Sequence, residues 1–200
     1  MKKLIKDVLM TAVFTFLSTF ATAADSNSKM SENWQKITLN DVRNPATLFG
    51  EDWAALAAGK EGNMNAMTVG WGQFGVLWGR PVLTVYVAPE RYTNEFMERN
   101  EYFTVTAFPQ AYKKSLQYIG THSGRDGDKL KEAGLNAEYT ELGNPIFKEG
   151  NLAIECKTIY KEEFKPELLD DKATSFYEKR KIHPHIAYIG EVINVWRKGE

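Results

Sequence analysis

The sequence NAMTVGWG at residues 65–72 stands out because polar and glycine positions interrupt an otherwise apolar run. Small residues let a ligand approach the backbone closely, and the free amides and carbonyls of such a strand can pair with the polar rim of a heterocycle. Met67 and Trp71 offer side chains for the flat face of a ring. A barrel strand that uses its glycines for packing explains the pattern equally well. The candidate ring-binding residues are Asn65, Ala66, Met67, Thr68, Gly70, Trp71 and Gly72.

Further strand-like runs follow this stretch along the chain. Pro81 precedes a β-branched run that Pro89 ends, and Gly190 lies within the longest run, where it predicts a bulge or bend. Short helices separate the runs, and we therefore predict a mainly β fold, a compact barrel with short helices. The predicted strands cover residues 66–72, 82–87, 102–108, 152–160 and 186–196, with a short strand or turn at 36–39.

Capping residues and glycines mark the ends of the predicted helices. Side-chain hydroxyls favour N-cap positions, and glycine favours the position after a helix. We predict one or two helical turns within 51–58 after a chain break at Asn44-Pro45, a helix over 94–99 capped by Thr93, a helix over 110–119 closed by Gly120, and a short helix over 128–133 ended by Gly134.

Two loops carry residues that favour an anion. Arg91-Tyr92-Thr93 directly precedes a predicted helix, where unpaired amides and the helix dipole attract phosphate and arginine adds a bidentate donor. The sequence GTHSGRD at 120–126 can form a nest for phosphate oxygens, Lys129 can return to the same anion, and Asp126 is expected to cap the short helix or to orient Arg125. An ordinary N-cap beside a surface arginine, and a polar turn, remain as alternatives. Neither the GxxxxGK(S/T) order nor the GxGxxG order occurs in the sequence.

The histidines and the cysteine offer little further chemistry. His183-Pro184-His185 lacks the third ligand that a metal site needs, so no metal is predicted. Cys156 is the sole cysteine, which excludes an internal disulfide, and its place in a predicted strand favours a buried, inert thiol.

The composition is that of an ordinary globular protein. Of the 200 residues, 43% are hydrophobic and 26% are charged, and the formal net charge is −1. No general attraction to nucleic acid or to an anionic membrane follows from this charge, so any anion site must be local and no nucleic-acid partner is expected.

The N-terminus has the pattern of a secretion signal. Three lysines precede an uncharged apolar run at 8–20, which is too short to span a bilayer, and Ala21-Thr22-Ala23 has the small residues of a cleavage site. The protein is therefore expected to be exported to the periplasm without stable membrane insertion; an amphipathic helix of a cytoplasmic protein is the alternative. We predict a signal peptide over 1–23, a flexible lead-in over 24–34 and one domain over 35–200.

In combination, these motifs resemble the flavin reductase-like family. The resemblance covers residues 35–196. It rests on NAMTVGWGQFGVLWGRPV at 65–82, RYTNEF at 91–96, GTHSGRDGDK at 120–129, which is similar to the flavoredoxin-like branch, and His185 followed by Ile189-Gly190-Glu191-Val192, which resembles the closing strand motif.

The resemblance implies a split β-barrel that binds FMN non-covalently and forms a homodimer with the flavin near the interface. On this chain, the segment 65–72 would line the isoalloxazine ring. His185 would assist proton movement or nicotinamide binding, a structural or interface histidine being the alternative. The ribityl phosphate would be held by Arg91, Thr93, Ser123, Gly124, Arg125 and Lys129.

The reaction that this resemblance implies is the transfer of a hydride from NAD(P)H to the flavin, which then reduces another flavin or a different acceptor. The expected function is therefore that of an FMN-dependent oxidoreductase. Export would separate the protein from cytosolic NAD(P)H. For that reason an electron-transfer flavoprotein served by a redox protein, and a flavin-binding protein without turnover, remain as alternatives.

Overall fold

The computed structural model describes residues 29–42 and 47–199, so the predicted signal peptide over 1–23 and the chain break at Asn44-Pro45 lie outside the described residues. The strands are β1 (Trp34–Ile37), β2 (Ala54–Lys60), β3 (Asn63–Val69), β4 (Gly72–Leu77), β5 (Arg80–Val87), β6 (Tyr102–Ala107), β7 (Ala137–Tyr139), β8 (Pro145–Phe147), β9 (Leu152–Glu163) and β10 (Ile186–Lys198). The helices are α1 (Tyr92–Arg99), α2 (Lys113–Thr121), α3 (Lys129–Glu132) and α4 (Asp171–Arg180), with 3-10 turns at Leu39–Asp41, Gln110–Tyr112 and Pro166–Leu168 and a π-helical turn at Leu48–Asp52.

Eight strands form one sheet that closes into a barrel. Its order is β3-β2-β6-β9-β10-β5-β4, with β1 paired to β10, while β7 and β8 pair separately. The outermost strands of this order, β3 and β4, are consecutive in the chain and are linked by Gly70 and Trp71 alone. Because two residues span only a few ångströms each, the two edges of the sheet must lie close together. The sheet therefore curls into a barrel that is split between β3 and β4, which confirms the predicted mainly β split barrel.

Gly190 lies at a change of register within β10, as the sequence predicts. The pairing of β10 with β9 shifts between Ile189 and Gly190. A side-chain carbon at Gly190 would lie 2.6 Å from Cβ of Cys156 and 2.6 Å from Cζ of Phe103. Glycine is therefore needed at this bend for close packing, and the bend carries β10 around the core.

The predicted helical turns within 51–58 are wrong over most of their length. The π-helical turn ends at Asp52, and β2 follows it as a central strand between β3 and β6. Residues 54–58 are completely buried. Alanine favours a helix in isolation, but here its small side chain suits a strand that is covered on both faces. Packing against the neighbouring strands outweighs the local preference.

Apolar side chains fill the interior of the barrel, and Cys156 is among them. It packs with Phe103, Ile154 and Tyr188 in the main core. Burial, with a smaller contribution from the charge of Glu155, raises the pKa of the Cys156 thiol well above its usual value. The thiol therefore stays protonated and inert, in agreement with the sequence-based prediction.

A second group of buried residues fixes α2 against β3. Ala66 of β3 packs with Leu116 and Ile119 of α2. Thr68 donates a hydrogen bond from its side-chain hydroxyl to the carbonyl oxygen of Leu116. These contacts hold the end of α2, and the loop after it, beside the strand that carries the predicted ring-binding residues.

Part of the predicted lead-in over 24–34 packs against the fold. Lys29 forms a bridge with Tyr139, and the Met30 amide donates to the Tyr139 carbonyl oxygen at 3.0 Å. Trp34 is buried at the start of β1. The described residues 29–34 are therefore attached to the domain. In the part of the chain that the structure describes, no helix has both the length and the apolar character needed to cross a membrane.

Candidate cofactor-binding site

A cavity of about 500 Å³ lies beside the link between β3 and β4. Its first wall is formed by residues 67–71, at the end of β3 and in the link. Its second wall is formed by the end of β5 and the loop before α1, and its third by α4 and the residues after it. The lining residues of the second wall are Tyr86, Ala88, Glu90 and Arg91, and those of the third wall are Phe176, Arg180, Ile182 and His185.

The first and third walls of the cavity both contribute aromatic rings. The ring centre of Trp71 lies 4.8 Å from that of His185 and 5.3 Å from that of Phe176. Almost half of Trp71 remains exposed. The first and third walls therefore present a partly open aromatic surface on which a flat molecule can lie.

His185 is held in place by a neighbouring tyrosine. Its Nδ1 lies 3.1 Å from the hydroxyl oxygen of Tyr177. Burial lowers the pKa of His185, the charge of Glu90 opposes this effect, and the charge of Arg91 adds to it. The imidazole is therefore mainly neutral at pH 7.

A smaller cavity of about 370 Å³ lies where β3, α1 and the loop after α2 meet, and Asn65, Tyr92, Gly124 and Lys129 are among its lining residues. Asn65 donates a hydrogen bond from Nδ2 to Oγ1 of Thr93 at 2.8 Å. A side-chain carbon at Gly124 would lie 2.2 Å from Oδ1 of Asn65, so the loop reaches β3 this closely only with glycine at this position. The structure thus brings the predicted strand and both predicted anion loops together.

Two cations of these loops bind the C-terminal end of α2. Arg91 donates from Nη2 to the carbonyl oxygen of Gly120 at 2.7 Å. Lys129 donates from Nζ to the carbonyl oxygens of Ile119 and His122, each at 3.0 Å. Burial, with a contribution from the charge of Arg91, lowers the pKa of Lys129 to about 8. Both cations compensate the negative end of the helix dipole, and both retain further N–H groups for an anion.

Ser123 and Arg125 form the outer part of the same loop. Oγ of Ser123 accepts a hydrogen bond from the Arg125 amide at 3.2 Å. The Arg125 guanidinium lies over the ring of Tyr92, with Cζ 4.6 Å from the ring centre, and forms an ion pair with Glu95 at 2.5 Å. Arg125 is exposed, so an anion at the start of α1 can reach it from solvent.

Several predicted local roles are wrong. Helix α1 has Arg91 as its N-cap instead of Thr93, because Thr93 is buried and receives the Asn65 hydrogen bond. Helix α2 continues through Gly120 to Thr121. The cap of α3 is Asp128, which accepts from the Lys131 amide at 3.1 Å, and Asp126 does not cap it.

The seven candidates of the segment 65–72 divide by position. Met67, Thr68, Gly70 and Trp71 line the larger cavity, and Asn65 lines the smaller one. Ala66 is explained by its packing against α2. At Gly72, a side-chain carbon would lie 2.6 Å from Cζ of Phe49, so this glycine is required for packing.

The sequence motifs did not predict the third wall of the cavity apart from His185. Helix α4 begins after Asp170, whose side chain accepts from the Ala173 amide at 2.7 Å. This N-cap residue, followed by Phe176 and Tyr177 among charged residues, is the sequence pattern that could have predicted α4.

The two histidines of His183-Pro184-His185 have different partners. The amide and Nδ1 of His183 lie 3.0 and 2.5 Å from Oε1 of Glu90, whereas His185 contacts Tyr177. Among the described residues, no group of three or more His, Cys, Asp or Glu side chains is arranged to hold a metal ion.

Comparisons with known proteins point to one family. The family described as "Flavin reductase like domain" matches residues 50–200. Among curated proteins, none matches the sequence significantly.

Many solved structures are similar to this fold. The flavoredoxin of Methanosarcina acetivorans is 25% identical, with a TM-score of 0.59, and 82% of this chain and 76% of that chain are covered. An FMN-binding domain of a flavin reductases-like enzyme from Shewanella baltica is 21% identical, with a TM-score of 0.60 and coverages of 82% and 77%. The NADH:FAD oxidoreductase of Streptomyces globisporus is 16% identical, with a TM-score of 0.56 and coverages of 73% and 75%.

Proposed function

Because the chain belongs to the flavin reductase-like domain family, we propose that it is an FMN-binding flavoprotein oxidoreductase that accepts a hydride from NAD(P)H. The observation that carries this proposal is the cavity at the split of the barrel, where the aromatic surface of Trp71 and His185 lies on one side and Arg91 on another. Two of the similar proteins support the cofactor and the donor, since one is an FMN-binding domain and the other an NADH:FAD oxidoreductase.

The residues around the two cavities fit a flat ring with an anionic tail. Met67 and Trp71 offer apolar contacts beside the backbone of β3 in the larger cavity. Arg91 lines the larger cavity and Lys129 the smaller one, and a pKa of about 8 keeps Lys129 mostly positive at neutral pH. FMN combines a planar heterocycle with a phosphate dianion, and these two kinds of surface suit its two parts.

The chain contributes binding and orientation to the reaction. Bound FMN would supply the redox chemistry, taking a hydride from a reduced nicotinamide and a proton from solvent and passing two electrons to an acceptor. The rings of Trp71 and Phe176 would hold a nicotinamide or another planar substrate in a fixed orientation. Since Nδ1 of the mainly neutral His185 is engaged by Tyr177, Nε2 is the atom at which this residue would hold or release a proton.

A second copy of the chain is the proposed partner. Large apolar side chains are exposed on the described surface, and apolar side chains that form a contiguous exposed patch are typical of a protein–protein interface. A homodimer that covers them would also enclose the cavity next to Trp71. The exposed residues include Trp71, Val76, Trp78, Tyr160, Phe164 and Ile193.

The N-terminal secretion pattern supports a second candidate function. Export to the periplasm would remove the protein from the cytosolic pool of NAD(P)H, and a redox protein would then be the electron donor. In this alternative the same cavity and the same cofactor serve electron transfer between proteins. A flavin-binding protein without turnover would be the remaining possibility.

Anaerobic reduction distinguishes these functions. The purified protein is loaded with FMN, and its absorption near 450 nm is followed after addition of NADH or NADPH. Rapid loss of this band by either nucleotide supports the reductase. A band that nicotinamides leave unchanged, but that dithionite removes, favours the electron-transfer flavoprotein and contradicts the NAD(P)H-dependent reaction.

A further inference from the structure

The third wall of the larger cavity contains a cation for which the proposed function gives no role. Arg180 is the last residue of α4 and lines this cavity. Its Cζ lies 4.0 Å from the ring centre of Phe176. A guanidinium that stacks on an aromatic face keeps its N–H groups available in its own plane, where they can bind a carboxylate, sulfonate or phosphate.

Phe176 connects Arg180 to the aromatic surface. The ring of Trp71 contacts those of Phe176 and His185, with centre-to-centre distances of 5.3 and 4.8 Å and tilted planes. Arg180 packs on the Phe176 ring of this group. A planar molecule lying on the rings would therefore place a substituent within reach of the guanidinium.

The other charged groups that line the cavity already have protein partners. Arg91 donates to the Gly120 carbonyl oxygen, and the Glu90 carboxylate binds His183. Arg180 forms no ion pair with a carboxylate of the residues that the structure describes. Arg91 also has no carboxylate partner, but it is hydrogen-bonded to Gly120 and is proposed to bind the phosphate. Arg180, an exposed side chain that packs on Phe176, is the cation of this cavity that remains without a role.

Its position at the end of α4 does not account for Arg180 by itself. A basic residue in the last turn of a helix interacts favourably with the helix dipole, and Lys179 shares that turn. Both side chains are exposed, but only Arg180 lines the cavity. A comparison of variants of these two residues therefore distinguishes an effect on the helix dipole from an effect on binding in the cavity.

We propose that the electron acceptor of the reduced flavin is a planar ring carrying an anionic group, and that Arg180 selects it by binding this group. The inference rests on the proposed function, since the ring of the substrate must lie beside a flavin bound against β3. Arg180 is then a specificity-determining residue for the substrate.

Nicotinate and nicotinamide form a matched pair of probes, because both are planar pyridines of nearly equal size and only nicotinate carries a negative charge at pH 7. Each is titrated into the FMN-loaded full chain, and the change in the visible spectrum of the bound flavin reports binding. Nicotinate is expected to bind about two- to fivefold more tightly at low salt, within the range of an exposed charge pair. The preference should shrink as salt is added.

Two variants test whether Arg180 causes the preference for nicotinate over nicotinamide. Arg180→Gln should abolish the preference for nicotinate, whereas Lys179→Gln, which removes a charge from the same turn, should retain it. Equal affinities for the two probes in the unmodified protein, or a preference that survives in Arg180→Gln, would overturn this inference but not the proposed function. A chain that takes up no FMN would overturn both the proposed function and the inference that rests on it.

Discussion

Arg91 donates a hydrogen bond from its guanidinium to the backbone carbonyl oxygen of Gly120, with Nη2 and the oxygen 2.7 Å apart. This bond joins the first residue before α1 to the last turn of α2, and so connects two loops that the sequence presents as separate anion sites. Lys129 binds the neighbouring carbonyl oxygens of Ile119 and His122. The positive charges predicted for a phosphate thus also fix the shape of the loop that would hold it.

Replacing Arg91 with alanine should lower the free energy of unfolding by about 1.5–3 kcal/mol, the usual contribution of a charged hydrogen bond, here in a partly buried position. Urea unfolding of both proteins measures the difference. Arg99→Ala is the control, because Arg99 forms an exposed pair with Glu95 within α1 and should cost about 0.5 kcal/mol or less. Equal losses in the two variants would show that the bond to Gly120 contributes no special stability.

Arg125→Ala should weaken FMN binding about tenfold or more, because the arginine is predicted to bind the phosphate by charged hydrogen bonds. Fluorescence titration of flavin measures the affinity. Riboflavin lacks the phosphate, so its affinity should be the same in both proteins. An unchanged affinity for FMN would remove Arg125 from the site.

The stability of the protein should decrease in mild acid partly because of His185. Burial lowers its pKa in the folded state, so the unfolded chain binds a proton at higher pH than the folded chain does. The free energy of unfolding therefore falls as the pH drops from about 6.5, the unperturbed value, towards the folded pKa. In His185→Gln this decrease should be shallower, as measured by urea unfolding at several pH values. Parallel curves for the two proteins would contradict a lowered pKa.

Gly190→Ala should destabilise the fold by about 1–3 kcal/mol, because the added carbon has no room between Cys156 and Phe103. Gly75→Ala is the matched control, since a side-chain carbon at Gly75 would meet no atom within 4 Å. Thermal unfolding of the two variants should show a clear loss for the first and little change for the second. Similar melting temperatures would mean that the bend in β10 can move to admit a methyl group.

Deletion of residues 1–23 should leave a folded protein that still binds flavin, because the predicted signal peptide is not part of the domain. Circular dichroism and flavin titration of the shortened chain test this expectation. Loss of folding on deletion would argue against a signal peptide and in favour of the cytoplasmic alternative.

Local patterns were sufficient to predict the strands that have a strong β signal. β5, β6, β9 and β10 are rich in β-branched or alternating apolar residues, and each was located to within a few residues of its observed bounds. β2 was missed because its identity depends on burial between β3 and β6, which the alanine-rich sequence does not express. Tertiary packing decides such a segment, and no local pattern reports it.

The candidate site was also predicted only in part, because some of its residues depend on tertiary packing. The sequence motifs identified the wall at 67–71, Arg91 and His185, which all line the larger cavity. They did not show that the Arg91 and Lys129 side chains would bind backbone carbonyls, because those acceptors come from the end of α2 and depend on how α2 packs against β3. Phe176 and Arg180 were missed because a short polar helix acquires its role only when the fold places it over the cavity.

Equilibrium dialysis of the purified protein against FMN tests the central claim most directly. We expect the uptake of about one FMN per chain, with flavin absorption bands that remain after removal of free FMN. A colourless protein that takes up no FMN would contradict the claim that the cavity at the split of the barrel binds this cofactor.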